Sequence, residues 1–214
     1  MKRRAIFYID GYNLYGGLCQ GQYDLIWLDL QALCARLTKA KTEQLEQVKQ
    51  FTARKPSPLE SLQRQQIYLN ALKTHCPTLQ VIEGKFHWTD QTCKMCSHTY
   101  TQQREKQTDV NIAVSVLEDA LKGMFDVAYL ITADSDQVPT IQTVKRLFPS
   151  RLVKVFFPPN LGSEDLRHYA DFAGHIPIGL LRMSQLPDPV LGRKERQYYK
   201  PSEWNTPFKP KRSC

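Results

Sequence analysis

The chain of 214 residues lacks any apolar run near the ~18 residues that a membrane-spanning helix needs. It also lacks an export signal, because the apolar stretch that begins at Ala5 ends after five residues, at Asp10. Internal repeats and low-complexity tracts are absent. Hydrophobic residues make up 42% of the chain and charged residues only 23%, which excludes wholesale disorder. We therefore expect a cytoplasmic protein with one main domain and no membrane association.

Cysteines are few, and only two have an informative spacing. In a chain for which no export signal is expected, six cysteines are interpreted as free thiols or metal ligands rather than as disulfides. Cys93 and Cys96 lie between His87 and His98, and this spacing suits a tetrahedral zinc site. Four protein ligands would leave no open position, so such a zinc ion would be structural. The alternative is a pair of free surface thiols and two solvated histidines.

Acidic residues are also in the minority, with 21 Asp and Glu against 29 Lys and Arg, giving a formal net charge of +8. Much of this excess lies in residues 193–214, which hold seven basic and two acidic residues together with prolines and aromatics. We predict a main domain at 1–182 and a tail at 183–214, poorly ordered in its basic part. The tail could contact RNA, act as a solubilising arm, or pack on its own domain.

Short apolar runs alternate with helical patterns along the first 180 residues. Strands are predicted at 4–9, 79–86, 127–132, 152–157 and 176–180, and helices at about 28–37, 59–75, 109–122, 138–147 and 164–172. Ser57-Pro58-Leu59-Glu60 has the residue types of a helix start. Apolar strands separated by helices indicate βαβ units, so the predicted fold class is α/β with a mostly parallel sheet covered on both faces.

Acidic residues stand where predicted strands end. Asp10 follows the first strand, Asp134 and Asp136 follow the strand at 127–132, and Asp109 opens a helix. If those two strands are neighbours, the carboxylates converge where open parallel sheets bind ligands. Such a cluster suits Mg²⁺ or Mn²⁺, which would activate a bound water and stabilise negative charge on a phosphodiester. Alternatively, each acid is a turn residue or a helix cap.

Three segments carry a resemblance to a known family. They are Asp10-Gly11-Tyr12-Asn13-Leu14, Lys106-Gln107-Thr108-Asp109-Val110-Asn111-Ile112-Ala113 and Leu130-Ile131-Thr132-Ala133-Asp134-Ser135-Asp136. In this order they resemble the NYN domain of the PIN-like nuclease superfamily, close to its LabA-like branch, over about residues 4 to 180. Gln137 departs from the pattern, because members of that branch often carry Phe there, and this puts the local packing in question.

The resemblance implies a Rossmann-like three-layer α/β/α sandwich and a metal-dependent endoribonuclease. Asp10, Asp109, Asp134 and Asp136 fall on the metal-binding acids, with Asn13 beside them as a ligand to a metal-bound water or a phosphate. A further strand at 46–54 follows from the same comparison. Within the predicted domain, the segment at about 87–107 that holds the four possible zinc ligands is taken as a Cys/His insertion. Members of the superfamily often self-associate, so a homo-oligomer is a further expectation.

Basic and aromatic residues near these motifs are candidates for holding RNA. The set comprises Tyr12, Arg54, Lys55, Lys85, Arg104 and Lys106. The main alternative to the nuclease is a non-catalytic RNA-binding or adaptor module, which should have lost one or more acids, and none is lost. A phosphatase that uses an aspartyl nucleophile would need a second Asp at position 12, which is Tyr12.

Overall fold

The computed structural model describes residues 1–56, 58–92, 95–96 and 98–205, except the side chains of residues 100, 102–104 and 194. The strands are β1 (Arg3–Asp10), β2 (Glu43–Thr52), β3 (Leu79–Glu83), β4 (Lys85–Thr92), β5 (Thr99–Lys106), β6 (Val127–Ile131), β7 (Leu152–Phe157), β8 (Phe172–His175), β9 (Val190–Leu191) and β10 (Gln197–Tyr198). The α-helices are α1 (Gly11–Cys19), α2 (Leu30–Leu37), α3 (Leu59–His75), α4 (Thr108–Leu121), α5 (Val138–Leu147), α6 (Glu164–Tyr169) and α7 (Ile178–Met183). Along these described stretches, no helix combines the length and apolarity needed to cross a membrane.

Six parallel strands form the central sheet in the order β3-β2-β1-β6-β7-β8. Strands β1 and β6 are direct neighbours, with Ile9 paired to Ile131. The predicted α/β class is therefore confirmed, and the condition on which the carboxylates were expected to converge, that these two strands are neighbours, is met. The carboxyl ends of β1 and β6 consequently lie side by side.

Alternating side chains of β1 divide the core into two layers. Ala5, Phe7 and Ile9 pack with α1, α2, α3 and α7 on one face of the sheet. Ile6 and Tyr8 pack with α4, α5 and α6 on the other. Helices thus cover both faces, as the three-layer sandwich requires.

Two lysines are buried in the sheet, and each meets a carboxylate. Lys49 Nζ lies 2.6 Å from Asp119 Oδ2, which also accepts a hydrogen bond from the Tyr8 hydroxyl. Lys154 Nζ lies 2.5 Å from Glu43 Oε1. Polar residues of this kind make β2 a weak pattern in the sequence, and only the family resemblance indicated that strand.

The predicted strand at 79–86 is wrong in its extent, because the chain leaves the sheet at Gly84. A side chain there would lie 2.7 Å from the backbone oxygen of Lys106, so the close approach requires glycine. Strand β4 then pairs antiparallel with β5 as a separate hairpin. The predicted Cys/His segment is therefore a β-hairpin, a feature that its polar sequence did not reveal.

Sequence patterns also misplaced the end of the sheet. The predicted helix at 164–172 ends at Tyr169, and the last strand of the central sheet is β8. The predicted strand at 176–180 is wrong, because Pro177 caps α7 and residues 178–183 are helical. Edge strand β8 is short and largely exposed, so its sequence lacks the apolar run that marks a buried strand.

Residues 190–205 pack on the domain, contrary to the poorly ordered arm predicted from residue 193 onward. Strands β9 and β10 pair, and Trp204 is only 3% exposed, within the core layer that contains Trp27. Residues 206–214 of the predicted arm, and the predicted helix cap Ser57, lie outside the described residues. Helix α3 begins at Leu59, directly after Pro58.

Candidate functional site

Asp10 is the most buried acid at the carboxyl edge of the sheet, with 3% of its surface exposed. As the last residue of β1 it caps α1, and its Oδ1 accepts hydrogen bonds from the backbone N–H groups of Tyr12 and Asn13, both at 3.0 Å. Its Oδ2 accepts from Asn13 Nδ2 at 2.9 Å and from Thr132 Oγ1 at 3.1 Å. Burial raises the pKa of this carboxyl group, while these hydrogen bonds lower it in part.

Asn13 and Thr132 join the end of β1 to the loop after β6. Asn13 Oδ1 accepts a hydrogen bond from the backbone of Ala133 at 3.0 Å, and Thr132 Oγ1 accepts one from the backbone of Asp134 at 3.1 Å. Both polar atoms of the Asn13 side chain are therefore engaged with protein. In this arrangement Asn13 positions Asp10 and the following loop, whereas the resemblance assigned it to a water or a phosphate.

Asp134 and Asp136 lie in the short turn that follows β6. Asp134 Oδ1 accepts a hydrogen bond from the backbone N–H of Asp136 at 3.0 Å, so Asp134 caps the 3₁₀ turn at 135–137. Its side chain is half-buried and that of Asp136 is exposed. The helix-cap alternative is thus true of Asp10 and Asp134, and it leaves Asp136 facing solvent.

Asp109 lies in the first turn of α4, as predicted. Burial, followed by the negative charges of Asp10, Asp134, Glu105 and Asp136, raises the pKa of Asp109 to about 6. The negative charges of the two strand ends thus add to the effect of burial on Asp109, which places the carboxylate of α4 near those that follow β1 and β6. We call Asp10, Asp109, Asp134 and Asp136 the acidic edge.

The acidic edge carries no compensating cation: no Lys or Arg among the described residues forms an ion pair with any of the four acids. Carboxylate oxygens are the ligands that Mg²⁺ and Mn²⁺ prefer. No group of three or more His, Cys, Asp or Glu side chains in the described stretches is arranged to hold a metal ion. The donor set therefore fits a hard cation held by one or two carboxylates and shared with water and phosphate, as is common for Mg²⁺.

The predicted RNA-binding residues of β2 and α1 have different environments. Arg54 is committed to Glu83, with nitrogen–oxygen distances of 2.5 and 2.8 Å, so it is not a free phosphate ligand. Tyr12 donates a hydrogen bond to the backbone of Ala53 and packs edge-on against Phe86. Lys55 is exposed, and its ammonium group makes no ion pair with the described residues.

The base of the hairpin brings two predicted cations together. Lys85 pairs with Lys106 across β4 and β5, and both side chains are exposed. Lys106 precedes Asp109 by three residues, so this pair adjoins the acidic edge. The Arg104 side chain lies outside the described residues.

The structure does not bring the four predicted zinc ligands together. His87 pairs with Arg104 in the middle of the hairpin, five residues before the Thr92–Thr99 pair at its tip. At ~3.4 Å per residue this separation is about 17 Å, too far for His87 to share an ion with residues at the tip. Cys96 and His98 are exposed near the tip, and Cys93 lies outside the described residues.

Three contributors to the site were missed by sequence reasoning. Thr132 is buried and bonds Asp10. Glu105 adds negative charge beside Asp109 and accepts a hydrogen bond from the backbone of Thr108 at 3.0 Å. Gln137 is buried and donates to the backbone oxygen of Asp109 at 3.2 Å, which joins α4 to the loop after β6 and answers the packing question at this position. Thr132 lies inside one of the three motifs that carry the family resemblance, and this position was the one sequence signal that could have identified it.

Fold and site together define a three-layer α/β protein with an uncompensated acidic edge at the carboxyl ends of neighbouring parallel strands. The sequence profile of the NYN domain matches residues 4–178, and the chain belongs to this family, which lies in a nuclease-like superfamily.

The chain is also similar to individual proteins. It is 28% identical to 6-hydroxy-3-succinoylpyridine 3-monooxygenase HspA of Pseudomonas putida, over 94% of this chain and 75% of that protein. A solved structure of a protein of unknown function from Vibrio parahaemolyticus shares the fold with a TM-score of 0.53 and 16% identity, over 82% of this chain and 94% of that one.

Proposed function

We propose that this protein is a metal-dependent endoribonuclease that hydrolyses RNA phosphodiester bonds at the acidic edge. The observation that carries the proposal is the gathering of four carboxylates at the ends of β1 and β6 and the start of α4, with no Lys or Arg partner among the described residues, in a chain with a formal net charge of +8. A polyanion approaches such an edge only when a cation lies between them. When bound, Mg²⁺ or Mn²⁺ supplies a water of lowered pKa and a positive charge that offsets the charge developing on the phosphate.

The residues of this chain would have different roles in the proposed hydrolysis. One or two of Asp109, Asp134 and Asp136 would offer oxygens to the cation, and Asp10 would do so only by exchanging its bond with Asn13 or Thr132. Asn13 and Thr132 position the ends of β1 and β6. Lys85, Lys106 and Lys55 would hold phosphates on either side, since exposed lysines that have no carboxylate partner among the described residues suit that contact.

The proposal is tested by incubating total cellular RNA with the wild type and with Asp134→Asn, in Mg²⁺, Mn²⁺ or EDTA, and mapping the new ends by sequencing. We expect cleavage by the wild type with metal, and a loss of at least about a hundredfold in the variant. Asp165→Asn is the matched control, because Asp165 is an exposed acid of α6 that takes part in none of the hydrogen bonds described at the acidic edge. Equal cleavage by Asp134→Asn and wild type would refute the proposal.

The non-catalytic RNA-binding module remains the alternative, and the same samples distinguish it: RNA binding without any metal-dependent cleavage would favour it. The contribution of the basic tail is measured by truncation after Asn205, which spares the buried Trp204. Truncation removes Lys209, Lys211 and Arg212. Full contact of these three cations with single-stranded RNA would lower the slope of log K against log salt by roughly 2.

A second candidate function is suggested by the relative in Pseudomonas putida, which is named as a monooxygenase of a hydroxylated pyridine. The chain would then oxygenate a small heteroaromatic compound with dioxygen and a two-electron reductant. Incubation with 6-hydroxy-3-succinoylpyridine, dioxygen and reduced nicotinamide or flavin cofactors tests this candidate. Consumption of the pyridine by wild-type protein would favour it, and an unchanged pyridine would reject that substrate.

Self-association and a cytoplasmic location stay predictions. Light scattering of the purified protein tests self-association.

A further inference from the structure

A cavity lies beside the acidic edge, among α1, the carboxyl end of β2, α3 and the segment at 202–205. Its volume is ≈ 180 Å³. An engineered cavity of about 150 Å³ binds benzene, so this space has room for a single ring with a substituent. Its aromatic lining comes from Tyr12, Tyr15, Tyr68 and Trp204. We call it the side cavity.

Two lining residues of the side cavity carry buried polar atoms without a partner. Oε1 of Gln50 and Nε1 of Trp204 make no hydrogen bond, although these residues are only 6% and 3% exposed. Buried polar atoms in native proteins are almost always paired with protein, water or a ligand. Both atoms lie in the wall of the side cavity, shielded from its interior, and a small movement of either side chain would offer an acceptor from β2 or a donor from the 202–205 segment to a heteroaromatic ring.

Two cations complete the lining, and they differ in availability. Arg64 is paired with Glu203 at 2.9 Å and donates to Ser61 Oγ at 3.2 Å, which fastens the 202–205 segment to α3. Lys55 is exposed, and its ammonium group has no ion-pair partner in the described part of the chain. The side cavity therefore has an aromatic interior and one free positive charge.

We propose that the side cavity binds one planar heteroaromatic ring that carries an anionic group. The ring lies among the tyrosines and Trp204, its polar atoms pair with Gln50 and Trp204, and its anion meets Lys55. A nucleotide of an RNA strand and a free heteroaromatic acid share this chemistry. The proposal does not rest on the nuclease, because binding in the side cavity uses none of the four acids.

Isothermal titration of the full chain in EDTA tests the charge of the ligand. The probes are the four nucleoside monophosphates and nicotinate, each against its neutral counterpart, a nucleoside or nicotinamide. We expect at least one anionic ring to bind more tightly than its neutral counterpart. Lys55→Ala should weaken the anionic ring roughly three- to tenfold and leave the neutral one unchanged. Lys41→Ala removes an equally exposed charge at the opposite end of β2 and should change neither.

Two further variants test the ring site itself. Gln50→Leu and Trp204→Phe each remove one unpaired atom and should weaken binding roughly three- to tenfold, whereas Trp88→Phe on the hairpin, with Trp88 half-exposed, should not. Gln50→Leu should not lower the melting temperature, because Oε1 has no partner to lose, so it keeps the test valid if Trp204→Phe unfolds the protein.

Selective binding of nucleotides would identify an RNA base as the occupant, and selective binding of nicotinate a free heteroaromatic acid; both support the side cavity as a ring site. The proposal is overturned if no ring binds, or if binding is insensitive to Lys55→Ala, Gln50→Leu and Trp204→Phe. RNA cleavage is not a readout of this titration, so failure of the nuclease proposal leaves the result unaffected.

Discussion

Two groups of carboxylates in this protein differ in burial and in the presence of a partner cation. Asp119 and Glu43 are buried, and each meets a lysine at 2.6 or 2.5 Å. Of the four acids of the acidic edge Asp10 is buried, Asp109 and Asp134 are half-buried and Asp136 is exposed, and none has a Lys or Arg partner in the described chain. Compensated carboxylates stabilise the fold, while uncompensated ones repel one another, and under the proposed function an external cation would relieve that repulsion.

The largest expected effect comes from making a compensated acid uncompensated. Lys49→Met removes the cation beside Asp119 at nearly constant volume, and breaking a buried pair in this way costs about 3–5 kcal/mol of unfolding free energy. Urea unfolding measures the change. Lys122→Met is the control, because the pair of Lys122 and Glu118 is solvent-exposed and should contribute little. Equal effects of the two variants would contradict the comparison.

A second variant adds charge to the acidic edge. Asn13→Asp keeps the size of the side chain, removes the amide donor to Asp10 and places two carboxylates together. We expect a loss of about 1–3 kcal/mol in unfolding free energy at pH 7 in EDTA, partly restored by Mg²⁺. Asn70→Asp on α3 is the matched control, since it keeps the acceptor for Gln66. A loss that Mg²⁺ does not reduce would argue against cation binding here.

A smaller effect of opposite sign is expected from Asp109→Asn. The pKa of Asp109 is raised to about 6 in the folded chain from 3.8, so the folded state binds the proton more tightly than the unfolded state. The wild type therefore loses stability as the pH rises from about 4 to about 6. Asp109→Asn should melt at a higher temperature than the wild type at pH 7 in EDTA, and at the same temperature at pH 4.

Calorimetry across this pH range measures the difference. Mg²⁺ should reduce the advantage of Asp109→Asn by stabilising the wild type, and Asp165→Asn should show no advantage at any pH. A variant that melts below the wild type at pH 7 would show that Asp109 is compensated after all.

The smallest expected effect concerns the hairpin. If Cys93, Cys96 and His98 hold zinc at the tip, purified protein contains one zinc per chain, and His87→Ala does not change that content because His87 lies about 17 Å away along the strand. Metal analysis by mass spectrometry measures both samples. Absence of stoichiometric zinc from the wild type would end the zinc hypothesis, and loss of zinc in His87→Ala would contradict the geometry of the hairpin.

Much of the sheet was predictable because buried parallel strands leave continuous apolar runs, as in 127–132 and 152–157. The failures have physical causes. Strand β2 buries Lys49, whose charge is offset by Asp119 from a distant helix, so its local pattern is weak. Strand β8 is short and exposed, and Gly84 ends β3 because of a contact with Lys106 that no local pattern contains.

The sequence by itself determined the α/β class and the family, and it identified the four acids as candidate site residues. Strand periodicity and motif residues are local properties, so both can be recognised in the sequence. Only the tertiary structure decided which charges are compensated, because ion pairs such as Lys154 with Glu43 join residues far apart in the chain. The same reason explains why two predictions failed. Arg54 was predicted to bind phosphate, but it is paired with Glu83. Trp204 was predicted to lie in a poorly ordered tail, but it is buried in the core. Charge and exposure depend on neighbours that the fold brings together.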